Sequence, residues 1–185
     1  MIRWLVFVLV VFSFTTDAYS QTVDINASDD SAQIAFRTLL GEEIFGYSEF
    51  NAMFIYTSDD KLGSLGFDVL GDLEVVPDLE LGVGLKLYGA DVDDNDVLSL
   101  GLGAVFRYSP IPLGGLVFLG TVYYSPHILS FLDADRLLES DIRLGYQIIP
   151  RATVYIGYRY IWTDIEDKKK MTVDKGIHAG LTLTF

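Results

Sequence analysis

A histidine flanked by hydroxyl and carboxylate side chains is the clearest sign of chemistry in the sequence. Around His127 lie four residues that could complete a catalytic site: Ser125, Ser130, Asp133 and Asp135. Such a set can activate a serine, because the histidine takes the hydroxyl proton and the carboxylate orients the ring. Polar residues are equally common in loops that carry out no chemistry. We therefore predict no catalytic residue, and keep an enzyme acting on lipid or peptide as the alternative.

A second group of polar residues has part of the spacing of a calcium-binding loop. Asp91, Asp93 and Asn95 fit the first three ligand positions of such a loop. The position that needs glycine for the sharp turn is then Asp96, and the position of the bidentate glutamate is Leu102. Cysteine is absent, so a thiolate metal site and a disulfide are both excluded. We predict neither a metal site nor a cofactor.

The charge balance bounds the class of partner. The formal net charge is −13, whereas proteins that bind nucleic acid need a basic surface. Although the net charge is negative, the chain has three consecutive lysines, Lys168 to Lys170. They either contact lipopolysaccharide phosphates or form a solvated hairpin tip. We expect outer membrane lipids and lipopolysaccharide as partners, and no nucleic acid.

The N-terminus has the features of an export signal. Arg3 precedes an apolar run of 11 residues from Trp4 to Phe14, which is too short to span a bilayer. Small residues follow at Ala18 and Ser20, where a signal peptidase cleaves. We predict a cleaved signal peptide at 1–20 and a single domain at 21–185; an uncleaved anchor is the alternative.

The C-terminal segment alternates with the period of a β-strand. One face carries five apolar residues: Ile177, Ala179, Leu181, Leu183 and Phe185. The other face carries His178, which we expect to be a hydrogen-bonded filler of the interior, among small residues. An apolar face that ends on a terminal aromatic residue resembles the assembly signal of outer membrane barrels. The barrel assembly machinery is therefore an expected partner during insertion.

The same period recurs upstream, in segments about as long as a tilted transmembrane strand of roughly 9–11 residues. The predicted strands lie near 22–28, 32–40, 46–58, 62–74, 79–87, 98–107, 114–125, 138–147, 154–162 and 176–185. With both chain ends in the periplasm the number must be even. We therefore predict an all-β fold, an antiparallel transmembrane β-barrel of ten strands; eight strands with 22–28 outside the barrel is the alternative.

Turns and aromatic residues fit this barrel. Proline-containing segments predict tight periplasmic turns at Val76-Pro77, at Pro110-Ile111-Pro112 and at Ile149-Pro150, and longer outer loops are predicted at 89–96, 126–137 and 163–175. Amphipathic rings favour the two headgroup regions. The predicted girdles contain Tyr56, Tyr124, Tyr160 and Trp162 at the outer end, and Tyr108 and Tyr146 at the periplasmic end. A soluble β-sandwich would bury such rings in one core instead.

If the apolar faces meet lipid, the opposite faces enclose charges of both signs. The predicted lumen cluster contains Glu80, Lys86, Arg107, Glu139, Asp141, Arg143 and Arg159. A tight turn near Pro150 would place Arg159 opposite Asp141, with both pointing inward. Paired charges would close or nearly close the lumen, since ten strands enclose little free space. A narrow solute path is the alternative.

The second half of the chain carries an ordered set of short motifs: Tyr123-Tyr124-Ser125-Pro126, Leu144-Gly145-Tyr146, Pro150, Gly157-Tyr158-Arg159-Tyr160 and the closing strand to Phe185. This set resembles the YfaZ family of outer membrane proteins. The resemblance is best over about residues 115–185 and brings no catalytic residues. It implies an outer membrane location in a Gram-negative cell envelope and a porin-like role.

We therefore predict a small outer membrane barrel, monomeric, with a structural or narrow porin-like role. A surface-binding protein that acts through its loops is a further alternative to the enzyme.

Overall fold

The computed structural model describes residues 20–43, 46–73, 75–92, 95–165 and 170–185. Residues 1–19 of the predicted signal peptide lie outside these ranges, as do Asp93, Lys168 and Lys169. No helix among the described residues has the length and apolarity needed to cross a membrane.

Antiparallel strands dominate the described chain. Their bounds are β1 Gln21–Ala27, β2 Ser31–Glu43, β3 Gly46–Thr57, β4 Lys61–Asp72, β5 Leu79–Val92, β6 Asn95–Tyr108, β7 Leu116–Ser125, β8 Ser130–Leu132, β9 Ala134–Ile149, β10 Ala152–Ile165 and β11 Met171–Thr184. Single turns of 3-10 helix lie at Ile111–Leu113 and His127–Leu129. The three-residue β8 pairs with the start of β6 and lies inside the segment predicted to be a loop at 126–137.

The other ten strands close into a barrel. They follow the order β5-β4-β3-β2-β1-β11-β10-β9-β7-β6, and pairing of β5 with β6 completes the circle. The first and last strands are neighbours, with Ile25 opposite Leu181, and the Phe185 amide donates a hydrogen bond to the Gln21 carbonyl at 2.8 Å. The ten-strand prediction is therefore confirmed, and the eight-strand alternative is excluded.

Alternation along the strands separates two surfaces. The outward side chains are apolar and exposed, as at Val83 (67% exposed) and Ile177 (64%). The inward side chains include buried charges such as Glu139 and Arg159. This arrangement is inside-out relative to a soluble protein, because lipid rather than the interior receives the apolar face.

The predicted difference in loop length between the two ends is wrong. We call the end of the barrel where Gln21 lies beside Phe185 the terminal end, and the opposite end the far end. At the far end, β5 runs to Val92 and β6 starts at Asn95, so most of the predicted loop 89–96 is strand. Similarly, β9 begins at Ala134 and β10 continues to Ile165. The polar residues there continue the ladder because backbone pairing satisfies their hydrogen bonds wherever the neighbouring strand is equally long.

An apolar layer fills the interior at the far end. We call it the apolar plug: Ile55, Leu62, Val92, Val97, Leu137 and Ile161, each at most 2% exposed. These side chains come from six strands and pack in a single cluster. The interior therefore has two levels, an apolar plug at the far end and a charged layer between the plug and the terminal end.

Candidate functional site

Arg159 is the most enclosed charge in the interior, with 1% of its side chain exposed. It lies midway along β10, directly beside the apolar plug residue Ile161. Its Nε donates to Asp174 on β11, and Nη1 donates to Asn26 on β1 (3.0 Å) and to Gln33 on β2. Nη2 donates to Ser31 on β2 at 3.0 Å. A single guanidinium thus links β10 to three other strands, β11, β1 and β2.

The predicted partner of Arg159 is different in the structure. The register does place Arg159 opposite Asp141. The ion pair of Arg159, however, is with Asp174, and Asp141 accepts instead from Arg143, with Nη2 to Oδ2 at 2.7 Å. Being opposite on neighbouring strands fixes the position of the Cβ atoms, but the long guanidinium side chain of Arg159 turns to the strand on its other side, β11, where Asp174 lies.

Arg143 holds the second group of charges. Its Nη1 lies 3.1 Å from Oδ2 of Asp24, a residue of β1 that the predicted cluster omitted. Asp24 also accepts hydrogen bonds from Tyr155 and Thr182, both at 2.7 Å. The guanidinium of Arg143 stacks over the Tyr155 ring, 4.7 Å from its centroid. Asp24 is 2% exposed, and its buried carboxylate is stabilised by this ion pair and these hydrogen bonds.

His178 faces inward beside this group, as the alternation predicted. It is 1% exposed, and its Nε2 lies 3.5 Å from Oδ1 of Asp141. Gly157 on β10 makes room for the ring, since a Cβ atom there would come within 2.7 Å of it. Neither ring nitrogen has a hydrogen-bond partner among the described residues, so the predicted role as a hydrogen-bonded filler is not what the geometry shows.

Two further ion pairs cross the lumen on the opposite side. Lys86 on β5 lies 3.0 Å from Glu139 on β9, which also accepts a 2.5 Å hydrogen bond from Tyr88. Arg107 on β6 lies 2.5 Å from Glu49 on β3. Near the terminal end, Tyr47 receives a hydrogen bond from Arg107 at 2.7 Å and donates one to Glu80 at 2.5 Å.

The ion pairs become progressively more exposed toward the terminal end. The exposed side-chain fraction is 1% for Arg159, 12% for Arg143, 16% for Arg107 and 31% for Glu80. A cavity of about 70 Å³ lies between these groups, and Arg107 also lines a shallow opening at the terminal mouth. The charged layer is thus more exposed at the terminal end than beside the apolar plug.

The predicted girdle residues lie on the outer surface. Tyr56, Tyr124 and Tyr146 are exposed, and Tyr108 packs on Phe118 with ring centroids 6.0 Å apart. The remaining two predicted rings carry lysines. Lys170 lies 4.1 Å from the centroid of Trp162 and 5.3 Å from that of Tyr160, and Lys175 also lies over Tyr160.

Part of the candidate catalytic set comes together at the far end. Nδ1 of His127 lies 2.5 Å from Oδ1 of Asp135. The serines do not join this pair: the Ser125 and Ser130 hydroxyls bond each other at 3.1 Å, and the Ser130 hydroxyl donates to the Pro126 carbonyl. The dyad is thus present without a nucleophile in contact. Among the described residues, no group of three or more His, Cys, Asp or Glu side chains could hold a metal.

Asp24 and Asp174 are among the lumen charges that were missing from the predicted cluster. Both lie on the inward parity of their strands. Asp174 fell in a segment predicted to be a loop, and extending the ladder of β11 would have found it. Asp24 lies inside the predicted strand 22–28, which is too short for alternation to be prominent.

Comparison with known families agrees with this architecture. The family model described as YfaZ precursor matches residues 21–185. A search of curated proteins finds no significant match.

Solved structures show the same fold at low sequence identity. A KdgM porin in complex with disordered oligogalacturonate aligns with a TM-score of 0.52 at 9% identity, over 90% of this chain and 99% of that one. The outer membrane protease OmpT from Escherichia coli aligns with 0.51 at 12%, over 90% and 93%. A NanC porin aligns with 0.50 at 11%, over 91% and 100%. Since porins and a protease share this barrel, the likeness shows the fold alone.

Proposed function

The chain belongs to the YfaZ precursor family and is a small exported outer membrane β-barrel; we propose that its lumen is closed at rest and that its role is structural. The observation that carries the proposal is the apolar plug. Its side chains are at most 2% exposed and form one packed apolar cluster, which supports closure at the far end. Hydrophobic constrictions of this kind exclude water and ions.

The charged layer supports the same proposal. Lys86 with Glu139 and Arg107 with Glu49 join strands across the interior, and Arg159 pairs with Asp174 on the neighbouring strand. Buried opposite charges resist separation, because each would be left uncompensated in a poorly hydrated space. A narrow porin is the alternative, and it would require both levels to rearrange.

Planar bilayer conductance tests the closed lumen. We expect no current steps from refolded wild-type protein. Leu137→Ala combined with Ile161→Ala removes volume from the apolar plug and should give small steps. Ile156→Ala is the matched control, because Ile156 lies on the same strand but is 54% exposed on the outer face. Steady ohmic conductance of the wild type would contradict the proposal and support the porin.

The His127 and Asp135 pair favours the enzyme as a second candidate. An imidazole held at 2.5 Å by a carboxylate can act as a general base on water. The serines in contact with each other, rather than with His127, weigh against a covalent mechanism.

Hydrolysis of peptide and lipid-ester substrates by refolded protein tests this candidate. We expect no turnover above that of His127→Ala. Turnover that His127→Ala abolishes, and that His178→Ala preserves, would instead make this barrel a rim enzyme.

We also propose that the far end contacts lipopolysaccharide and that the barrel is a monomer. Lys170 and Lys175 lie over aromatic rings on the outer surface at the far end, which supports contact with lipopolysaccharide phosphates. The sheet closes on itself without an open edge, which supports a monomer. The short far-end connections offer little surface for binding through loops.

A further inference from the structure

Arg37 is an unusual charge in the lumen. It lies on β2, faces the central cavity and is partly exposed there. Among the described residues it makes no side-chain hydrogen bond and no direct ion pair, in contrast to Lys86, Arg107, Arg143 and Arg159. From this isolation we propose that Arg37 binds a small anion in the lumen, such as a carboxylate or a halide. The inference goes beyond the structural role proposed above.

The carboxylates nearest Arg37 form their direct ion pairs with other residues. Its charged neighbours include Glu49 and Asp24. Glu49 is held by Arg107 at 2.5 Å, and Asp24 is held by Arg143 at 3.1 Å. Each nearby carboxylate is thus already committed to another guanidinium. The donors of Arg37 remain available to a molecule inside the cavity.

Asp68 on β4, two strands from Arg37, also lines the cavity. It accepts hydrogen bonds from Tyr123 at 2.5 Å and from Asn51 at 2.7 Å, and it is 3% exposed. Its oxygens are therefore satisfied by neutral donors and do not need a cation. Arg37, which is accessible and has no partner, is the group that gains most from a ligand. The favoured ligand is consequently an anion rather than a cation.

Size and access restrict the anion. The cavity of about 70 Å³ admits a halide or a formate-sized carboxylate but not a sugar. Entry is from the terminal end, past Arg107, which lines both the cavity and the terminal mouth. The planar fork of a guanidinium matches a carboxylate with two parallel hydrogen bonds.

Bromide is the probe for the crystallographic test. Crystals of the refolded protein soaked in sodium bromide should show an anomalous peak within hydrogen-bond distance of the Arg37 guanidinium. The peak should be absent from Arg37→Gln. A cavity without bromide in wild-type crystals would overturn the inference, whether or not the barrel conducts ions.

Formate is the probe in solution. At constant ionic strength, replacing sulfate by formate should raise the urea midpoint of the wild type with saturation. In Arg37→Gln, the saturable rise of the urea midpoint with formate should be absent. Arg136→Gln, an equal change of charge at the exposed rim, should keep it. If Arg37→Gln does not refold, Arg37→Lys replaces it: we expect at least tenfold weaker formate binding, and unchanged affinity would overturn the inference.

Discussion

Arg159→Met is expected to lower the free energy of unfolding of the refolded barrel by about 3–5 kcal/mol, the range for breaking a buried ion pair. The variant keeps the approximate volume of the side chain but removes its charge and its donors. Asp174 would be left as a buried carboxylate without its cation, and Asn26 and Gln33 would lose the same partner. The urea midpoint in detergent micelles, followed by tyrosine fluorescence, measures the effect.

Two further variants separate the buried charge from general effects of removing an arginine. Arg136→Met is the matched control, since Arg136 is 49% exposed and its pairs with aspartates are screened by solvent, so the urea midpoint should change little. Arg159→Met combined with Asp174→Leu removes both charges and should recover part of the loss. If Arg159→Met and Arg136→Met have equal midpoints, Arg159 does not hold a dry network together.

The sequence is sufficient to predict the inward position and the register of Arg159, but not its ion-pair partner. Alternation placed Arg159 inside, and the turn near Pro150 gave the register with Asp141. Both follow from the period of two and from the geometry of a short turn. The partner does not follow, because a guanidinium reaches over several ångströms and Asp174 lies on the other neighbouring strand. Patterns along one strand cannot decide between acceptors on two of its neighbours.

The apolar plug was missed for a different reason. Inward residues such as Ile161 lie between outward apolar residues, here Tyr160 and Trp162, so local alternation of polarity disappears. The ladder nevertheless continues with the same parity, and the strands become longer than the bilayer requires. A barrel that extends beyond the membrane can bury apolar side chains inside as a soluble protein does. In such a segment the inward residues can be identified only by continuing the alternation of inward and outward positions from the polar part of the same strand.

Phe185→Ala is expected to lower the yield of assembled barrel in the outer membrane severalfold, although it leaves the backbone of the closing strand intact. The Phe185 amide donates to the Gln21 carbonyl at 2.8 Å, and this hydrogen bond helps to join the first and last strands. The ring itself is 67% exposed and contributes little to packing within the barrel. If removing only the ring lowers the yield of assembled barrel, the loss would therefore arise during assembly, when the assembly machinery recognises the terminal aromatic residue. It would not arise from a lower stability of the folded barrel.

The experiment compares three variants in isolated outer membranes and after refolding in detergent. Phe185→Tyr keeps an aromatic ring and should assemble like the wild type. Leu181→Ala is the control for a lost lipid-facing side chain, since Leu181 lies on the same face of β11. In detergent, Phe185→Ala should refold to nearly the wild-type urea midpoint, because closure between β1 and β11 depends on the backbone. Equal yields of Phe185→Ala and wild type in the membrane would show that the terminal ring is not the assembly signal.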